Sequence, residues 1–291
     1  MLPDWYLDYK KKVELFLAEW FDANYLKEGV SQGVLKRFLK ATRYGFEGGK
    51  RFRGVLAMVW YGIWKSNLEE VMPWAGALEL IHAFSLVHDD MPELDNDILR
   101  RGRPTVWAAY SDWEALLVGD NLMMLGFQML SDLQDPQKVK NLLKLLSEAI
   151  GAKGMNGGQY MDVWYELHPE GVNYEILKQI HAKKTGALIK LSLVGWAMIA
   201  WKEQILCKLE KYWELLGMAF QISDDILDVT WTVEETGKSI WWEQKWYVYF
   251  LGLEKTQNLL EEIVKEWIDI ANQIWEPKLV RLMEFMKNRK G

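Results

Sequence analysis

Apolar residues return every three or four positions along almost the whole chain. "VELFLAEWF", "LLKLLSEAIGAKGM", "ILKQIHAKKTGALIKLSLVGWAMIA" and "LEKTQNLLEEIVKEWIDIANQI" all carry this spacing, the period of a helix with a buried face. Alternating strand patterns are absent apart from the ambiguous "WYVYFLG" near Tyr247. Breakers fall at Gly29, at Gly45 to Gly49, at Pro73, Pro92, Pro104, Pro136 and Pro169, and at Gly237. The pattern predicts roughly ten helices joined by short loops, a large all-α bundle. The chain has 291 residues, 50% of them hydrophobic, with no low-complexity linker and no internal repeat. One domain over residues 1–291 is therefore expected.

Several classes of protein are set aside by composition. A single cysteine, Cys207, allows no internal disulfide and fits a reducing compartment. The opening "MLPDWYLDYKKKVELFLAEW" is interrupted by charge and lacks the apolar core of a signal peptide. No apolar run reaches the ~20 residues of a membrane span. The expectation is a cytoplasmic protein without membrane anchoring. A net charge of −6 gives no field for nucleic acid.

Two acidic clusters stand out against this background. The first, "LVHDDMPELDNDILRRGRPT", follows the apolar helix pattern "ALELIHAFSLVHDD". Pro92 disfavours helix at Met91, so Asp89 and Asp90 belong to a last turn. Anions at that end oppose the helix dipole and call for a cation. The second is "FQISDDILDV", where Asp224 and Asp228 fall about 40° apart on one helical face and Asp225 sits beside them among apolar neighbours. Carboxylates on two helices suit Mg²⁺, which takes few protein oxygens and completes its shell with water and substrate phosphate. The His/Cys spacing of a zinc site is missing.

Basic residues lie close to both clusters. "EGGKRFRG" places Lys50, Arg51 and Arg53 after a glycine pair, and "LRRGRPT" adds Arg100, Arg101 and Arg103. "HAKKTGAL" adds Lys183, Lys184 and Thr185, and "ETGKS" with its sequel adds Lys238 and Lys245. Arg forks match phosphate oxygens. The set describes a pocket for more than one phosphorylated group. Neither GxxxxGK[ST] nor GxGxxG is present to explain it as a nucleotide site.

The stretches "GGKRFR", "IHAFSLVHDDMPELDNDILRRGRPT", "GDNL", "GMNGGQYMDV", "HAKKTGALI", "LLGMAFQISDDILDV" and "TGKS" with its following lysine resemble, in order, the trans-isoprenyl diphosphate synthases. They span about Gly48 to Glu254. The resemblance implies the class I isoprenoid synthase fold, a homodimer and Mg²⁺ as cofactor. It also implies a reaction. An allylic diphosphate is held by Mg²⁺ between the two acidic motifs and ionises, isopentenyl diphosphate attacks, and a proton is lost.

By that resemblance Asp89, Asp90, Asp95, Asp224 and Asp228 are metal-site residues, with Asp225 in support. Lys50, Arg53, His82 and Arg101 look like the clamp for isopentenyl diphosphate. Arg100, Lys184, Lys238 and Lys245 look like ligands of the allylic diphosphate. Lys184, Thr185, Gln221, Asp224 and Asp225 form the catalytic group, and Gln159 and Asp162 orient neighbours. Phe84 and Ser85, just upstream of the first motif, occupy the floor of the chain pocket. "AFS" and the Asp89-Asp90-Asp95 spacing look most like bacterial farnesyl diphosphate synthases. That implies mainly a C15 product, with C20 as the alternative. A class I terpene cyclase is disfavoured by the Asp-rich second motif and by the Lys50/Arg53 clamp. A non-catalytic subunit is disfavoured because both acidic motifs are intact.

Seventeen tryptophans is a high number for such a chain. Trp113, Trp196, Trp201, Trp213, Trp231, Trp241, Trp242 and Trp246 stand where the family pattern has, or accepts, glycine. An indole at a close helix approach would overpack it, at roughly 1–3 kcal/mol each. One reading is a Trp-rich lineage with compensating small neighbours; the sharper one is that these codons are UGA, read as glycine by the source and translated here as tryptophan. Trp107 in "RPTVWAAY" is excepted, since relatives place Trp there.

Overall fold

The computed structural model of the protein describes residues 3–26, 33–202, 204, 206–230 and 247–274, without the side chains of 207–210, 228, 271, 273 and 274. Two compact units are present, Met1–Leu143 with Met198–Trp201 and Lys144–Ala197 with Lys202–Gly291. Helix dominates both. Among the described residues, no helix is long and apolar enough to cross a membrane.

The first unit holds α1 (Asp4–Tyr25), α2 (Leu35–Phe46), α3 (Phe52–Trp64), α4 (Met72–Asp89), α5 (Val106–Ala109), α6 (Asp112–Met129) and the start of α7 (Pro136–Ile150). Its axis is α4. Trp74, Ala75, Ala77, Leu78, Leu80, Ile81, Ala83 and Phe84 are all buried, because a helix apolar on every side must be surrounded. Helices α1, α2, α3 and α6 do the surrounding. As Pro92 requires, α4 stops at Asp89 with Asp90 as its C-cap. The core therefore delivers the first acidic cluster to a helix end.

The second unit holds the rest of α7, then α8 (Met155–Leu167), α9 (Tyr174–His181), a π turn (Ala182–Gly186), α10 (Ala187–Ala200), α11 (Leu206–Thr230), α12 (Tyr247–Leu251) and α13 (Leu253–Ile274). Helix α11 packs along α13, and α8 lies against the π turn. The acidic sequence "SDDILDV" is thus carried near the end of a 25-residue helix.

Two local features differ from the pattern reading. The ambiguous "WYVYFLG" is helical over Tyr247–Leu251, with Tyr247 and Val248 buried side by side rather than alternating. A two-stranded ribbon, β1 (Leu99–Arg100) paired antiparallel with β2 (Arg103–Pro104), interrupts the helices. Two-residue strands carry no alternation to detect.

The tryptophans divide by environment. Trp196 is fully buried and Trp213 nearly so, whereas Trp113 and Trp201 are 65% and 56% exposed. Overpacking therefore does not arise at the last two, contrary to the sequence expectation for them. Trp107 donates its indole N–H to the Asp97 carbonyl at 2.9 Å. Trp231, Trp241, Trp242 and Trp246, with Gly29 and Gly237, lie outside the described residues.

Candidate active site

In the first unit, two loops with left-handed backbone gather cations. Gly48 and Gly49 have φ of 79° and 89°, and Arg51 follows at 55°. Arg51 is the N-cap of α3. Arg101 (φ 56°) and Gly102 (φ 74°) are the two central residues of the β1–β2 hairpin, both positive as a type I′ turn demands. The hairpin holds Arg100 opposite Arg103 and puts Arg101 at its tip. A Cβ on Gly49 would lie 2.5 Å from Cζ of Arg101, so only glycine lets that guanidinium lie against the loop. Non-glycine αL residues cost about 1–2 kcal/mol each, and such strain collects where a site needs it.

These cations crowd one another. Burial first, then the charges of Arg51, Arg100 and Arg103, lower Arg101 to about 10, with Glu79 opposing. Burial, then Arg53, Arg101, Arg100 and Arg51, hold His82 well below its usual value. His82 is therefore a neutral ring among guanidinium groups. Arg51 and Arg53 are themselves buried. Buried cations pressed together call for anions beside them, and within the protein Glu79 stands beside Arg51 and Asp90 beside Arg100.

Glu79 is the functional residue that motif reading missed. It is 3% exposed, accepts from the Gly54 amide at 2.8 Å and lies 3.8 Å from Arg51. It thus caps α3 from another helix and anchors the cation cluster. The signal was present, since Glu79 is the lone acid in "WAGALELIHAF". Tyr6 adds a second anchor by donating its hydroxyl to the Lys50 carbonyl at 2.7 Å.

The first acidic loop folds back on its own helix. The Asp95 amide donates to the Asp89 carbonyl at 2.9 Å, which joins the two residues through their backbone. Asp89 is half-buried and Asp95 exposed. Asp90 is buried and takes Arg100 in a tight pair, and Arg100 also reaches Asp97 at 3.2 Å. Upstream, Phe84 is buried in α4 with its ring edge-on to His88, and the Ser85 hydroxyl donates to the His82 carbonyl.

In the second unit, a chain of hydrogen bonds links α8, the π turn, α11 and α12. A Cβ on Gly158 would fall 2.3 Å from the Lys184 amide, so α8 meets the π turn backbone to backbone. Across that contact Lys184 pairs with Asp162 at 2.6 Å. Thr185 donates to Oε1 of Gln221 at 3.0 Å. Nε2 of Gln221 donates to Asp225 at 2.8 Å, and the Tyr247 amide donates to the other Asp225 oxygen at 2.8 Å. Both polar atoms of the Gln159 amide are buried without a hydrogen-bond partner among the described residues. Asp224 is half-buried on α11. The Asp228 side chain, Lys238 and Lys245 lie outside the described residues.

The donor set fits Mg²⁺ in kind. Among the described residues no three His, Cys, Asp or Glu side chains form a ready-made cage. A cation that takes one or two carboxylates plus water and substrate phosphate needs none. Asp89, Asp95 and Asp224 offer hard oxygens of that type, each with some access to solvent.

Comparison with known proteins agrees with this chemistry. The family model described as Polyprenyl synthetase matches residues 35–268. A geranylgeranyl diphosphate synthase of Cyanophora paradoxa is 33% identical over 278 residues, 91% of this chain and 92% of its own. A farnesyl diphosphate synthase of Micrococcus luteus is 35% identical over 240 residues, 80% of this chain and 82% of its own. Among solved structures, the geranyltransferase of Helicobacter pylori, complexed with magnesium and isoprenyl diphosphate, is 29% identical. It superposes with a TM-score of 0.83 over 99% of this chain and 98% of that one.

Proposed function

Because the chain belongs to the polyprenyl synthetase family, we propose that it condenses isopentenyl diphosphate with dimethylallyl and geranyl diphosphate to give mainly farnesyl diphosphate. The observation that carries this reading is the cation cluster of the first unit. Arg51, Arg53, Arg100 and Arg101 press around a neutral His82, which describes a dianion subsite built before substrate arrives.

Each residue then has work to do. Lys50, Arg53 and Arg101 bind the isopentenyl diphosphate by charge, and neutral His82 contributes an N–H. Arg100, steadied by Asp90, and Lys184, steadied by Asp162, take the allylic diphosphate, with Lys238 and Lys245 as further ligands. Asp89 and Asp95 in the first unit, and Asp224 and Asp228 in the second, would hold Mg²⁺, which would supply positive charge to neutralise a departing diphosphate. Thr185, its hydroxyl proton held by the Gln221 oxygen, turns its own oxygen toward the carbon that becomes electron-deficient, a preorganised stabilisation that costs no rearrangement during reaction. Apolar walls such as Phe84 keep water from that carbon. Ser85 and Phe84 limit the chain, which supports C15. A C20 product is the second reading, favoured by the geranylgeranyl relative.

The exposed stripe on α6, where Trp113, Leu116, Leu117 and Met124 face solvent, supports a homodimer. The single Cys207 supports a cytoplasmic location.

The test is chromatography of products made by the purified chain with Mg²⁺, isopentenyl diphosphate and each of the dimethylallyl, geranyl and farnesyl primers. C15 is expected to dominate, and Phe84→Ala to lengthen the product. Asp89→Ala and Asp224→Ala should each lower kcat/KM by about a hundredfold or more. Absence of turnover with every primer, or near-normal rates in both Asp variants, rejects the reading.

A further inference from the structure

The Asp225 carboxylate sits at the centre of the second unit's hydrogen-bond chain. It is 1% exposed. One oxygen accepts from Nε2 of Gln221 and the other from the Tyr247 amide, both at 2.8 Å. A carboxylate facing two N–H donors can only accept. It therefore settles which end of the Gln221 amide points where: nitrogen toward Asp225, oxygen toward Thr185. Without it the two orientations of an amide differ little in shape and are chosen only by their partners. Asp224, one residue earlier on the same helix, is half-buried instead. Neighbouring residues on a helix point about 100° apart, so two adjacent acids cannot serve one face.

We propose that Asp225 is a positioning residue, not a metal ligand: it fixes the Gln221 oxygen toward Thr185 and fastens the start of α12 to α11 through the Tyr247 amide. The proposal rests on the condensation reading only for its kinetic consequence. In Asp225→Asn the side chain keeps one acceptor and gains a donor. If its oxygen stays with the Tyr247 amide, its NH₂ meets the NH₂ of Gln221. That clash turns the Gln221 amide over, and Thr185 loses the oxygen it donates to. Adding Gln221→Glu supplies a side chain that accepts from both neighbours. The double substitution thus rebuilds the three bonds to Thr185, between residues 221 and 225, and to the Tyr247 amide at unchanged total charge.

Three measurements decide it. First, Asp225→Asn should lower kcat by about a hundredfold while the Mg²⁺ half-saturation and the KM for both diphosphates stay within about twofold of wild type. A large rise in Mg²⁺ half-saturation instead marks a ligand and overturns the proposal. Second, Asp225→Asn combined with Gln221→Glu should regain at least about tenfold of the lost kcat. No recovery in a folded double variant overturns it too. Third, hydrogen exchange at the Tyr247 amide should be slow in wild type and in Asp225→Asn but fast in Asp225→Ala. Equal protection in Asp225→Ala overturns the anchoring half. This last readout needs no turnover. If wild type elongates no primer, the condensation reading fails while the Asp225 anchor is still decided.

Discussion

Trp201 occupies a position that glycine would serve better. It follows the last residue of α10 with φ of 57°. The Lys202 amide returns to the Ala197 carbonyl at 2.8 Å, and the Trp201 amide to Met198 at 3.5 Å. This is a Schellman ending, whose left-handed residue is usually glycine. The indole recovers little, since it is mostly exposed and touches Lys138 from 4.8 Å above its ring. Such an exposed contact is worth about 0.5–1 kcal/mol, against about 1–2 kcal/mol for the backbone. Trp201→Gly should therefore raise Tm by about 1–4 °C in a thermal melt, and an unchanged or lower Tm rejects the argument. The same position belongs to the set expected to be encoded by UGA. Sequencing the gene decides it: UGG codons at Trp113, Trp196, Trp201 and Trp213 end the recoding idea. Trp213, buried with its indole N–H unpartnered among the described residues, is the companion site where an added indole is buried rather than exposed.

At the scale of elements, α6 makes the clearest demand. Trp113, Leu116, Leu117 and Met124 fall within about 100° of one another on a helical wheel and are all exposed. A contiguous apolar stripe of that kind marks a contact surface, and in the proposed homodimer a second copy covers it. Leu117→Glu with Met124→Glu should convert a dimer to a monomer in sedimentation. A variant that still sediments as a dimer rejects this face.

Elements also show what could be read in advance. The end of α4 at Asp89 was legible because Pro92, three residues on, disfavours helix at Met91. The helices themselves were legible because burial on one face repeats at their period. The β1–β2 ribbon was not, since its conformation is set by the positive φ of Arg101 and Gly102 and not by any alternation. The helical state of Tyr247–Leu251 was not legible either. It depends on an acceptor 22 residues away at Asp225. Glu79 needed the fold as well, because nothing local reveals that its partner is the amide of Gly54, 25 residues earlier. Of the candidate site, the residue types were readable and the pairings were not: Lys184 with Asp162, and Gln221 with Thr185, join separate elements.

For the molecule as a whole, His82 makes stability depend on pH. Its folded value is pushed well below the usual one by burial and four arginines, so below about pH 6.5 the unfolded chain binds a proton that the folded chain refuses. Stability then rises with pH through this window and is lost as pH falls, by up to about 1.4 kcal/mol per pH unit. Denaturant melts between pH 5 and 7.5 should show that slope for wild type and a shallower one for His82→Gln. Equal slopes would remove His82 as the cause.

The π turn at Ala182–Gly186 carries a different implication, about length rather than chemistry. Inside a continuous helical rod it amounts to one surplus residue, so the faces on either side are out of phase by about 100°. Leu177 and Ile180 are buried before it, and α10 after it is buried on nearly every side, so a rotation of α10 would displace packed side chains all round. Removing any one residue between His181 and Ala187 would restore an ordinary helix and rotate all that follows, whatever residue was chosen. Variation in this protein is therefore governed by two separate rules. Connecting turns can gain or lose a residue, while this segment admits no change in count.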